Sequence, residues 1–108
     1  MTIREIQAAV SRAFGVTGID LLSRRQDIRV ARPRQVAVWL ARHLTPCSLS
    51  EIGREFGRDH TSVGAAISRI DTLLASDKAF AAVVWRLMDA LDHAATVELR
   101  RLQVRAVA

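Results

Sequence analysis

A glycine at position 57 divides the stretch SLSEIGREFGRDHTSVGAAISRI, residues 48–70, into two segments of helical period. Before it, Leu49, Ile52 and Phe56 share one face. After it, Val63, Ile67, Ile70 and Leu74 recur at intervals of four, three and four. Ser48, with Glu51 three residues on, predicts a capping box at the start of the first helix. Gly57 suits the left-handed position that closes this helix, and Asp59 suits the N-cap of the second. The outer face of the second helix carries Arg58, Thr61, Ser62, Ala65 and Arg69, so it is small, polar and basic. Two helices around a glycine turn, the second with a polar outer face, read as a helix-turn-helix. A plain helical hairpin is the alternative this pattern leaves open.

The flanking segments are helical as well. Thr2 and Glu5 form another capping box, and Ile3, Ile6, Val10, Ala13 and Phe14 make an apolar stripe that Gly15 ends. Residues 17–23 predict a short helix with Ile19 and Leu22 turned inward. Residues 24–34, RRQDIRVARPR, hold five Arg and one Asp and read as a basic loop. Pro33 is expected to open the next helix, where its missing N–H costs nothing. That helix runs to about Leu44, with Val36, Ala37, Leu40, Ala41 and Leu44 on its core face. Trp39 lies off the stripe and is expected to pack against a neighbouring helix. The helix after Gly57 is expected to reach about Leu74. Ser76 is expected to cap a last helix carrying Phe80, Val84, Leu87, Met88, Leu91, Ala95, Leu99 and Leu102. With no convincing period-two alternation anywhere, the chain is expected to be all-α. It divides into a domain over residues 1–92 and a C-terminal helical extension over 93–108.

Charge narrows the partner. The net charge is +5 over 108 residues, carried by fifteen Arg and a single Lys, Lys78. The planar fork of Arg matches phosphate oxygens, so a nucleic-acid partner is expected; a genome rich in Arg codons accounts for part of the bias. Of the basic stretch, Arg24, Arg25, Arg29, Arg32 and Arg34 are placed at a DNA backbone or in a minor groove, where negative potential attracts Arg. A solvated loop is the other reading. Arg58 and Arg69, on the face of the helix after Gly57, are expected to meet DNA as well. The single Cys47 excludes an internal disulfide and a cysteine-based zinc cluster, in keeping with a reduced cytoplasmic, nucleoid-associated setting. No apolar run approaches the roughly 20 residues of a membrane span. His43, His60 and His93 fall on different predicted helices with no catalytic or metal-binding spacing, so no enzyme, cofactor or metal is expected.

Three stretches together carry a resemblance: DLLSRR at 20–25, VARPRQVAVWLARHLT at 30–45 and SLSEIGREFGRDHTSV at 48–63. They resemble the C-terminal DNA-binding domain of the bacterial replication initiator DnaA, over roughly residues 3–71. The resemblance implies a compact helical bundle with a Trp-repressor-like helix-turn-helix and a long C-terminal helix. It implies a nine-base-pair duplex target, the DnaA box, with the recognition helix in the major groove and a loop Arg in the minor groove. By position, Asp59, His60 and Thr61 match base-reading residues, while Arg34, Gln35, Arg42 and Ser62 match phosphate contacts. The first-turn amides near Ser50 are also placed for phosphate. The chain departs from the pattern in having one glycine rather than two before RDH, Gln26 where the minor-groove Arg usually stands, and Gly64–Ala65 where a His is frequent. Close approach of a phosphate or of a neighbouring helix is expected to account for Gly64, since helical Gly costs about 1 kcal/mol relative to Ala. Arg25 or Arg29 is expected to replace the missing Arg.

The initiator also carries an ATP-binding module, and no GxxxxGK[ST] loop occurs in these residues. The expectation is therefore a stand-alone, sequence-specific duplex DNA-binding protein acting in transcription regulation. The alternatives are a regulator of replication initiation and a protein-interaction module with secondary DNA contact. The last helix is expected to serve a second copy or a second regulatory protein, the frayed end being the bland alternative.

Overall fold

A computed structural model describes the backbone of residues 1–107 and the side chains of residues 1–94 and 101. The chain forms six helices in the order α1 (Ile3–Phe14), α2 (Gly18–Leu22), α3 (Ile28–Leu44), α4 (Leu49–Phe56), α5 (His60–Ser76) and α6 (Lys78–Val107), and no strand is present among the described residues. The architecture is the all-α bundle with a helix-turn-helix and a long last helix. Local chemistry places most boundaries. The Thr2–Glu5 and Ser48–Glu51 capping boxes are both formed, and Gly15 and Gly57 close α1 and α4 at φ 67° and 64°.

Helix α3 runs through the middle of the molecule and packs on all five others. Val36, Ala37, Leu40 and Ala41 are fully buried on it. Around them close Ile6 and Val10 of α1, Leu21 of α2, Ile52 and Phe56 of α4, Val63 and Ile70 of α5, and Val84 of α6. Each such side chain contributes about 1.5–3 kcal/mol when withdrawn from water. Trp39 is only 3% exposed. Its indole N–H donates to Asp71 of α5 at 2.9 Å, while its ring lies against His43 and meets the edge of Trp85.

Five expectations are corrected. In α2 the inward residue is Leu21, while Ile19 and Leu22 are 84% and 45% exposed. A single turn can bury only one side chain deeply against α1 and α3. Helix α3 starts at Ile28 rather than at Pro33, which sits at its sixth position, buried. The basic segment is therefore a short connection, residues 24–27, followed by helix. Ala13 is exposed, because Phe14 and Val16 already cover that end of α1. Helix α5 continues through Ser76, and Asp77 caps α6 by accepting the Phe80 N–H at 3.0 Å. Gly64 faces open space, so no neighbouring helix explains it.

On α6, Ala81, Val84 and Leu91 are buried and Asp92, His93 and Ala94 are exposed. Ala95, Leu99 and Leu102 lie outside the described side chains. Among the described residues no helix is long and apolar enough to cross a membrane.

Candidate nucleic-acid interface

The turn between α4 and α5 is fixed by a close approach. The Arg58 N–H donates to the Gly53 carbonyl at 2.8 Å, and a Cβ on Gly53 would run into the Arg58 carbonyl oxygen. Only glycine fits at this approach of the turn to α4. Asp59 then caps α5, its Oδ1 accepting the Ser62 N–H at 2.8 Å. That backbone bond holds the Asp59 carboxyl below its ordinary range. The result is an exposed polar strip: His60, Thr61, Ser62, Ala65, Ser68 and Arg69 all face solvent on the first half of α5.

Beside this strip lies a cleft of about 310 Å³ between α3 and α5. Of the residues singled out from sequence, it brings together Arg34, Gln35, Arg58, Ser62 and Arg69, with Gln26 at its edge. The side-chain oxygen of Gln35 is buried there without a hydrogen-bond partner. Arg25, Arg29 and Arg32 line a second cleft, on a different face of α3, with Phe14, Val16 and Pro33. Arg42 is exposed in the last turn of α3 and Ser50 is exposed in the first turn of α4; neither lines these clefts.

Three arginines, Arg34, Arg25 and Arg58, are engaged otherwise than expected. Arg34, 6% exposed, spends its guanidinium on carbonyl oxygens: Leu21 at 2.7 Å, Arg25 at 2.9 Å, Ser23 at 2.9 Å and Asp20 at 3.2 Å. It terminates α2 and ties down the connection, so a phosphate contact is not its role in this arrangement. Burial, and then the neighbouring Arg58, push its pKa down. Arg25 binds both oxygens of Asp27 at 3.0 Å and lies 3.4 Å from Asp20. Its pKa is raised, first by the hydrogen bond to Asp27. This pairing occupies Arg25 and leaves Asp27 an N-cap with no side-chain cap bond. Arg24 and Arg29 are exposed.

Arg58 donates to the Phe56 and Ser23 carbonyls at 2.8 Å each. Burial, then the charge of Arg24, lowers its pKa. Sequence reading missed Gly53 and the Ser23 carbonyl. A glycine inside an eight-residue helix was a visible signal for the first; a backbone oxygen gives none. No cluster of three metal-ligating side chains exists among the described residues.

The fold and this surface define a helix-turn-helix DNA-binding domain. The chain belongs to the bacterial DnaA helix-turn-helix family, whose pattern matches residues 3–70. It is 53% identical over 78 residues to the chromosomal replication initiator protein DnaA of Caulobacter sp. (strain K31), a match covering 71% of this chain and 16% of that protein. The same-named protein of Bartonella quintana (strain Toulouse) is 52% identical over 80 residues, covering 73% and 16%. That of Gluconobacter oxydans (strain 621H) is 50% identical over 82 residues, covering 75% and 17%. The chain thus spans about a sixth of the length of these relatives.

Proposed function

We propose that this chain binds duplex DNA sequence-specifically, at sites of the DnaA-box kind, and acts on the initiation of replication. The observation that carries the reading is the exposed strip at the start of α5, set on a turn held by the close contact of Gly53 and Arg58 and flanked by cationic side chains. In this reading Asp59, His60 and Thr61 reach base edges in the major groove. A carboxylate accepts from exposed base amino groups, and Thr supplies a hydroxyl and a methyl for thymine. Ser62, Arg69, Arg42 and Gln35 meet phosphates, the last after turning its NH₂ into the cleft. Ser50 offers a first-turn amide. Arg24 and Arg29 approach the backbone or minor groove beside residues 24–27; Arg25, held by Asp27, is the poorer candidate to replace the Arg absent at Gln26. Arg32 acts only through the field of its charge.

The transcription role expected from sequence finds no support in the comparisons. The relatives are named replication initiators, and the replication reading fits them better. No catalytic step is assigned to this module, and its setting is the nucleoid.

Fluorescence anisotropy with a nine-base-pair DnaA-box duplex and a shuffled duplex, over a series of salt concentrations, tests the reading. The box should be preferred by about 10³ or more. The log–log salt slope should be steep, with about −0.9 from each phosphate contact. Thr61→Ala and His60→Ala should each cost about 1–3 kcal/mol of discrimination. Equal loss on both duplexes would remove the base-reading role, and equal wild-type affinity for both would remove the function.

A further inference from the structure

Ser23 ends α2 and leads into the basic connection, and its carbonyl accepts two guanidinium groups, from Arg34 at 2.9 Å and from Arg58 at 2.8 Å. The two arginines come from different parts of the chain, Arg34 from the middle of α3 and Arg58 from the turn before α5. Their side-chain hydrogen bonds go to carbonyl oxygens, and the nearby charge of Asp27 also favours the Arg34 guanidinium. Arg58 is also held at its root. Its N–H bonds Gly53 and its carbonyl rests against the Gly53 Cα, while its second nitrogen donates to Phe56. The side chain is therefore a strut with both ends fixed, reaching across 35 positions of sequence.

From this geometry we infer that Arg58 is a positioning residue. By bridging the turn to the Ser23 carbonyl it fixes residues 24–27 relative to the N-terminus of α5, so that the basic connection and the recognition helix meet DNA as one rigid piece. The inference rests on the DNA-binding reading for its consequence, though the strut itself does not. A phosphate contact needs only a positive charge, which Lys supplies as well. A bridge between two carbonyls needs the planar fork with its fixed donor directions. The two roles therefore predict different behaviour for a lysine variant.

The experiment compares the wild-type chain with Arg58→Ala and Arg58→Lys. Amide hydrogen exchange is followed without DNA, and affinity for box and shuffled duplexes is measured across salt. Both variants should exchange faster at residues 23–27. Both should lose roughly tenfold in box-over-shuffled preference, the lower end of the cost of a lost base pair contact, with an unchanged salt slope. The inference is overturned if the slope falls by about 0.9 in Arg58→Ala and returns in Arg58→Lys, the behaviour of a phosphate contact. It is equally overturned if exchange at 23–27 is unchanged in both variants. A wild type with no duplex preference would instead defeat the proposed function, while the exchange measurement would still decide the strut.

Discussion

At the scale of single residues, the arginines divide by what their guanidinium groups already hold. Truncating Arg34 removes four hydrogen bonds and leaves the Leu21 and Arg25 carbonyls without this donor, while Ser23 keeps Arg58 and Asp20 keeps the Ser23 N–H and hydroxyl. Hydrogen bonds to charged groups contribute about 1.5–3 kcal/mol, and orphaned buried acceptors add to the loss. Arg34→Ala should therefore destabilise the domain by about 3 kcal/mol, read as a drop in the urea midpoint with an unchanged m-value. A variant of wild-type stability with weaker DNA binding would return Arg34 to the phosphate contacts. Gly53→Ala is the steric counterpart. Its methyl group meets backbone rather than a movable side chain, and overpacking of this kind costs about 1–3 kcal/mol. Thermal unfolding should show it, and Gly64→Ala, which faces open space, should by contrast raise the midpoint, since helical Ala is favoured over Gly by about 1 kcal/mol.

Among the elements, legibility followed the range of the interactions. The capping boxes at Thr2 and Ser48, the Gly57 closure and the Asp59 cap lie within four residues of their partners, so the sequence announces them. The stripes of α4 and α5 are long enough to show a period. Helix α2 has five residues and no period to read, and its inward residue is decided by the hollow between α1 and α3. The engagement of Arg34 was illegible for a related reason. An Arg aimed at DNA and an Arg aimed at carbonyls thirteen residues upstream are the same letter, and only the return of α3 over α2 distinguishes them. The caps also set a pH dependence. Asp59 and Glu51 are held below their ordinary values of 3.8 and 4.5 by backbone N–H groups. A lowered carboxyl stabilises the fold above its unfolded value, and that contribution is lost as pH falls through the folded value. Asp59→Asn keeps a capping oxygen but cannot ionise. Wild type should exceed it in thermal midpoint at neutral pH, and the gap should close as pH drops below 3.8. A gap independent of pH would mean that the charge contributes nothing at this cap.

For the molecule as a whole, the last described side chain that joins the core is Leu91. Deleting residues 96–108 is accordingly expected to leave the thermal midpoint almost unchanged while weakening self-association or cooperative DNA binding, measured by sedimentation and by titration of a two-site duplex. A large fall in midpoint in a chain that stays monomeric would instead make that segment part of the core. The dual engagement of Asp59 bears on how such a molecule diverges. Its carboxylate starts the helix and, in the proposed complex, also reads a base. A mutation that retargets this position has to leave behind a residue that still caps, which favours Asp, Asn, Ser, Thr and Gly, and of these only the first four carry a side chain that can also read a base. The neighbouring His60 and Thr61 carry no such double duty. New binding preferences in descendants of this domain should therefore arise at positions 60 and 61 far more freely than at 59, so that the requirement to fold channels which DNA words the lineage can learn.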